Sequence, residues 1–310
     1  MKDRPPLVSV VVTTLNEEPF IAACLRSLVN QTYLSKQIIV VDGGSSDATV
    51  RIASTFQVEI LHENKKGPAA GRNRGIVASR GEIIAFTDAD CTAQTDWLEN
   101  IVEAFHSSAA DVVGGSVETR NRDSFVAQCI GARFEGRSSF ATWNVSYLRK
   151  VIEAIGMFDE HLIAGEDVDL ALRAEETGHR LHYEPALRVQ HDFPTTIKDV
   201  AVTWFRYGFY WPRLLFKHPA RTYRKVLLAL VLVSSPLVTI VLPALTLPVL
   251  VLLLLVPSLL YYSPLALQVV RSRRSIRYVL LPLVHSLKLF VHLTAVAVGL
   301  FVAVARSASS

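Results

Sequence analysis

The sequence predicts an α/β protein, a Rossmann-like, mostly parallel sheet, followed by an apolar α-helical tail. Three observations predict it. Short, β-branched apolar runs alternate with helix-period segments through the first part of the chain. Polar and acidic residues follow directly on the ends of those runs. Every one of the 28 acids lies before residue 226, whereas 226–270 contains no Asp, Glu, Lys or Arg. The net charge of +4 is therefore an average of unlike parts. We expect a catalytic-type α/β domain over 1–199, an aromatic-basic connecting segment over 200–225 and an apolar region over 226–310.

The run LVSVVVTTL (7–15) is a buried strand, and NEEPFIAACLRSLVNQ after it carries Phe20, Ile21, Cys24, Leu25 and Leu28 at helical spacing. KQIIVVDGGSSDATVRIAST repeats the plan of strand, Gly/Ser turn and helix, and FQVEILHE adds a short strand. GPAAGRNRGIVAS is a glycine-bounded helix and GEIIAFTDAD a further buried strand. Strands apolar on both faces, alternating with helices, imply βαβ units. In such sheets ligands sit beyond the carboxyl ends of the strands. Asn16-Glu17, Asp42 and Asp88-Ala89-Asp90 each follow on such an end.

The tail reads differently. One helix over 226–270 would be roughly 68 Å long, about twice the hydrocarbon thickness of a bilayer, so two transmembrane helices turning near Pro243–Pro248 fit better. RSRRSIR (271–277) interrupts, and 278–305 is a third apolar stretch, either spanning or interfacial with Lys288 snorkelling. Between the parts, Trp204, Phe205, Tyr207, Phe209, Tyr210 and Trp211 interleave with Arg206, Arg213, Lys217, Arg221, Arg224 and Lys225. Beside apolar spans this reads as a headgroup collar rather than a nucleic-acid site; an amphipathic helix packed on protein is the other reading. Positive charge on both flanks implies a multi-pass protein of the cell membrane with its α/β domain in the cytoplasm. No secretory leader is expected at the N-terminus. Cys24, Cys91 and Cys129 are too far apart in sequence to suggest a zinc site or a disulfide framework.

Asp88 and Asp90, at i and i+2 of a strand, would point the same way. A divalent cation relieves their repulsion, and Mg2+ or Mn2+ is typically held by one or two carboxylates together with substrate phosphates. A lone DxD is a weak signal; this one ends a buried strand. In GEDVDLALR, Glu166, Asp167 and Asp169 open a helix, where acids favour the dipole.

VSVVVTTLNEE, IIVVDGGSSDAT, GPAAGRNRGI, AFTDADC, WNVSYLRKVIEAIGMFDE and GEDVDLALR occur in this order between about Val8 and His191. Together they resemble the glycosyltransferase family 2 pattern on a GT-A fold. The resemblance implies transfer of a sugar from a nucleotide-diphosphate sugar with a divalent metal, Mg2+ or Mn2+. It implies that Thr14, Asn16, Glu17 and Asp42 line the base and ribose pocket and that Arg72 approaches the nucleotide or its phosphates. Asp88 would lie near ribose and metal, Asp90 would be the more direct ligand, and His191 would be a third. Asp167 would be the general base of an inverting attack, with Glu166 beside it. Trp143 and Asn144 would line the acceptor side.

Bland readings stand beside these: Asn16 as a helix cap, Arg72 on its helix surface, Trp143 in the core, His191 as an ordinary histidine. The chain departs from the family pattern at Asp42-Gly43, where two aspartates are usual, and at Met157, where glycine is usual. No QxxRW follows the acidic helix, so adding one or a few sugars is expected rather than processive synthesis. The expected acceptor is membrane-associated, a lipid-linked sugar or polyprenyl phosphate, and no nucleic-acid partner is expected. The rivals are a nucleotidyltransferase and a nucleotide-sugar-binding membrane scaffold without turnover; a glycine-rich, lysine-bearing first loop would mark the former, and TTLNEEPF is not one.

Overall fold

The computed structural model describes residues 4–135, 140–219, 263, 266–267 and 280–307. The chain divides into two compact units, 1–120 with 134–192, and 121–133 with 193–310. The first unit therefore ends at Asp192 and the second takes 121–133 out of the α/β region.

In the first unit β1 (Val8–Thr14), β2 (Lys36–Asp42), β3 (Glu59–His62) and β4 (Ile83–Asp88) run parallel, with β1 between β2 and β4. Four more strands extend the sheet: β5 (Cys91–Ala93), β6 (Val112–Thr119), β7 (Val145–Leu148) and β8 (Leu181–His191). The order is β3-β2-β1-β4-β7-β6-β8-β5. β7 is antiparallel to both β4 and β6, and β5 is antiparallel to β8, so the sheet is mixed beyond β4. Continuous apolar strands here mean cover on both faces: Val11, Ile39, Val41 and Phe86 on one face, and Val10, Val12, Val40 and Ala85 on the other, are all buried. Phe86 meets Phe158 edge-on at 5.3 Å and Tyr147 at 6.3 Å.

Two helices set the rim. On α1 (Ile21–Val29) Ile21, Cys24, Leu25 and Leu28 form the buried stripe. On α3 (Pro68–Ala78) a Cβ at Gly75 would fall 2.3 Å from Cγ1 of Val11, so only glycine lets this helix lie so close to β1. Arg72, one turn earlier on the same face, is carried to the carboxyl edge of the sheet. The remaining helices are α2 (Thr49–Ala53), α4 (Trp97–Ser108), α6 (Arg149–Ala154) and α7 (Glu166–Glu176).

The second unit contains α5 (Phe125–Gly131), α8 (Ile197–Lys217) and α9 (Leu281–Ser307). α8 and α9 touch through glycines: a Cβ at Gly208 would meet the His292 carbonyl oxygen at 2.3 Å, and one at Gly299 would meet that of Phe209 at 2.3 Å. Polar groups also face inward. His285 Nε2 lies 2.9 Å from the Cys129 carbonyl, and Lys288 Nζ sits 3.5 Å from the Trp204 ring centre.

These contacts correct the membrane expectation. Among the described residues no helix is long and apolar enough to cross a membrane. The apolar stretch 278–305, expected to span or to lie in the interface, corresponds to α9, whose His285, Lys288 and His292 are buried against protein. The aromatic-basic collar, as far as it is described, is part of α8 and packs on α9. The two spans expected within 226–270 lie almost wholly outside the described residues. The multi-pass placement in the cell membrane, with a cytoplasmic α/β domain, is therefore not supported.

Candidate active site

β4 ends at Asp88, and the chain turns at Ala89-Asp90 before β5 begins. The turn separates the two aspartates that a continuous strand would have placed side by side. Asp88 Oδ1 accepts from Arg72 Nη2 at 3.0 Å, whereas Asp90 Oδ2 lies 3.4 Å from His191 Nε2. They serve two clusters.

The first cluster is an ionic lock. Gly165, with φ of 81°, turns the chain into α7 and places Glu166 and Asp167 in its first turn. Arg72 Nη1 donates to Glu166 Oε1 at 2.5 Å while Nη2 holds Asp88. Arg72 and Glu166 are buried. Burial works against the charged guanidinium, but Asp88, Glu166 and Asp167 outweigh it and hold Arg72 above the ordinary arginine range. Burial pushes the Glu166 carboxyl up to about 7 and raises Asp167 as well, with Arg72 pulling both back. The Arg72 guanidinium lies 5.7 Å from the Phe158 ring centre, and Asn73 pins Phe158 by both its amide ends. Behind α7, Arg173 pairs with Asp169 at 2.8 Å and donates to the Ile155 and Met157 carbonyls. Met157 takes φ of 56°, the left-handed region, which gives a physical reason for the family's glycine there.

The second cluster lies where β5 meets β8. Ligand atoms of Asp90, Cys91 and His191 all fall within 4.8 Å of one another. Trp143 meets the His191 ring edge-on at 5.5 Å and Phe134 at 5.1 Å. Burial raises the Asp90 carboxyl; His191 lowers it and Asp88 raises it further. Glu17 is pushed up to about 7 by burial and then by Asp90, Asp88 and Asp47. Beside these stands Arg120, whose Nε donates to Asp192 Oδ2 at 3.1 Å and whose guanidinium lies 5.8 Å from the Phe20 ring centre. A site this rich in carboxylates, with a histidine among them, has the donor chemistry of a divalent-cation site.

The remaining expected residues sit as follows. Asn16 has φ of 58°; its Oδ1 accepts from the Ser46 backbone at 2.8 Å and its own N–H donates to Ser45 Oγ at 2.8 Å. It ties the loops after β1 and β2 together and does not cap α1, whose N-cap is Phe20. Asp42 is buried and accepts from the Gly44 and Ser45 backbone within its own turn. Thr14 is buried, and among the described residues its hydroxyl has no hydrogen-bond partner. Asn144 is buried: its Oδ1 accepts from Trp97 Nε1 at 2.9 Å and its Nδ2 donates to the Ser116 and Leu187 carbonyls. Sequence reasoning missed Cys91, Arg120 and Asp192. The register of β8, with His191 opposite Cys91 and Thr119, brings them to this rim.

A parallel half-sheet with acids gathered beyond its carboxyl edge is an open α/β layout in which ligands bind at that edge, and it is the layout that the glycosyltransferase resemblance implies. Comparison with known proteins agrees. The family model "Glycosyl transferase family 2" matches residues 9–148 and "Glycosyl transferase family group 2" matches 83–302. The chain belongs to glycosyltransferase family 2. It is 36% identical over 200 residues to glycosyltransferase AglE of Haloferax volcanii, covering 59% of this chain and 66% of that protein. It is 26% identical to the glucosyl-dolichyl phosphate glucuronosyltransferase of the same organism, covering 59% and 68%. In structure it is similar to a mannosyltransferase from Pyrobaculum calidifontis solved with GDP-Man and Mn2+, with a TM-score of 0.54 and 24% identity over 71% of this chain and 65% of the other. The chain spans between about half and two thirds of the length of the curated relatives it matches first.

Proposed function

We propose that this protein is an inverting, non-processive glycosyltransferase that moves one sugar from a nucleoside-diphosphate sugar, of uridine or guanosine type, to a lipid-linked acceptor. The observation that carries the reading is the Arg72 lock, which fixes Asp88, at the end of β4, and Glu166, at the start of α7, to one guanidinium. Two motifs far apart in sequence, one for the donor and one for the base, are thereby held at one rim. The acceptor class is supported by the dolichyl phosphate chemistry in the name of one relative.

In this mechanism Asp167 takes the proton of the acceptor hydroxyl as that oxygen attacks the anomeric carbon. The bond from that carbon to the phosphate oxygen breaks, and the nucleoside diphosphate leaves with the electron pair. Burial raises the Asp167 carboxyl, moving it toward the range where a base works best near neutral pH. Asp90 and His191 would hold a divalent cation, Mg2+ or Mn2+. When bound, such an ion neutralises charge on the diphosphate. Thr14, Glu17 and the loop tied by Asn16 form the donor side, and Trp143 flanks the acceptor side.

The test is release of nucleoside diphosphate from UDP- and GDP-sugars, with Mn2+ and a polyprenyl-linked sugar as acceptor. Asp167→Asn is expected to lower turnover about 10²–10⁴-fold, the range of general-base catalysis. Turnover undiminished in that variant, or release of pyrophosphate instead, overturns the reading. If a bare polyprenyl phosphate is the acceptor, its nucleophile is already ionised and the variant loses far less.

A further inference from the structure

We propose that Cys91 is a sulfur ligand of the divalent-cation site, giving it a carboxylate–imidazole–thiolate donor set that selects Mn2+ and softer ions over Mg2+. The inference rests on the reading of Asp90 and His191 as metal ligands and adds a residue to it.

Strand register brings the three side chains together. β5 is antiparallel to β8 and Cys91 lies directly opposite His191. Opposite residues of an antiparallel pair project to the same face, with Cβ atoms about 4.5–5.5 Å apart. Asp90 precedes Cys91 and reaches both side chains: its Oδ1 is 3.7 Å from Cys91 Sγ and its Oδ2 is 3.4 Å from His191 Nε2. All three ligand atoms lie within 4.8 Å of one another. Ligands bonded to one metal at about 2.0–2.3 Å stand roughly 3–4 Å apart, so only a small contraction closes the set.

Chemistry then sets the preference. Mg2+ takes oxygen ligands and keeps several waters, whereas sulfur and imidazole suit later divalent ions. Cys91 is fully buried, on the same strand pair as His191. Binding forms one metal–sulfur bond, breaks the S–H bond and gives that proton to the buffer. The competing view is that Cys91 merely fills space as a small apolar residue.

Co2+ titration of the purified full-length protein distinguishes them. We expect a thiolate-to-Co2+ charge-transfer band in the near ultraviolet, lost in Cys91→Ser and Cys91→Ala and kept in Cys24→Ser. The alanine variant preserves a small apolar side chain should serine fail to fold. The ratio of Mn2+ to Mg2+ affinity is expected to fall in either Cys91 variant. Co2+ binding without the band, or a band that survives both Cys91 variants, overturns the role of the thiol while leaving Asp90 and His191 as ligands. Failure of wild-type protein to bind Co2+ or Mn2+ at all overturns both.

Discussion

The two acid clusters at the rim of the first unit are balanced in opposite ways. Around Arg72, Asp88 and Glu166 each receive a guanidinium N–H, and the three side chains fix one another. Around Asp90 a histidine stands 3.4 Å away, and the nearby Glu17 carboxyl is raised by burial first and then by repulsion from Asp90 and Asp88. The first cluster is assembled by the chain itself. The second gathers Asp90 and Glu17 about His191, beside the Arg120–Asp192 pair, and its carboxylate and imidazole groups are donors suited to a cationic partner. One rim thus holds a fixed part and an adjustable part.

The largest expected effect breaks the fixed part. Arg72→Met leaves the Glu166 carboxylate buried without its cation, a change that typically costs about 3–5 kcal/mol. Arg72→Lys should recover only part of this, because one ammonium cannot present two N–H groups in the planar fork that now meets both acids. His191→Ala should alter stability far less and instead weaken Mn2+ binding. Urea unfolding of the three variants, with and without Mn2+, measures both quantities. Equal losses for Arg72→Met and His191→Ala would erase the distinction between the clusters.

The next effect concerns pH. The Glu17 carboxyl is raised from an ordinary 4.5 to about 7, by burial first and by Asp90 and Asp88 next. Between those values the folded protein keeps a proton that the unfolded chain has released. The folded state therefore binds more protons, and its stability falls as pH rises through that window, the loss being complete above about 7. A cation that offsets the charge of Asp88 and Asp90 should reduce this slope. Melting temperature without added metal is expected to fall from pH 5 to pH 8, and Mn2+ should raise it more at pH 8 than at pH 5. Glu17→Gln should lessen the slope without abolishing it, because Glu166 is raised over the same window. A metal-induced shift independent of pH, or a slope unchanged in that variant, would place the acid excess elsewhere.

Much of this was legible in the sequence, for reasons tied to particular residues. Apolar runs such as IIVVD and IIAFTD cannot be other than buried, and acids directly after them must lie at a sheet edge. The positions of Glu166 and Asp167 at a helix start followed from the residues after them. What the sequence hid were relations across distance. The separation of Asp88 from Asp90 depends on a turn at Ala89 that local propensity does not announce. Cys91 reaches its partners through a strand register set a hundred residues away. Asn144 was expected on the acceptor side from the resemblance alone, and the sequence does not show that its amide meets Trp97 and two carbonyls in the interior. The membrane reading took 278–305 as an apolar stretch broken only by Lys288 and two histidines, whereas His285, Lys288 and His292 are buried and have partners within the protein.

The smallest effect tests how the donor side is held beside both clusters. Asn16 occupies the left-handed region at φ of 58° and also bonds the Ser46 backbone with its side chain. These contributions separate by substitution. Asn16→Ala removes the side-chain bond and places a residue with a Cβ where such backbone costs about 1–2 kcal/mol. Asn16→Gly removes the same bond but adopts that backbone freely. Alanine should therefore destabilise the protein more than glycine, by about 1 kcal/mol in urea unfolding, and both should weaken binding of a nucleoside diphosphate because Glu17 follows directly in the chain. Equal losses for alanine and glycine would assign the loop's position to the Ser46 bond alone. Unchanged nucleotide binding in both would detach this loop from the donor side and leave recognition to the Arg72 lock.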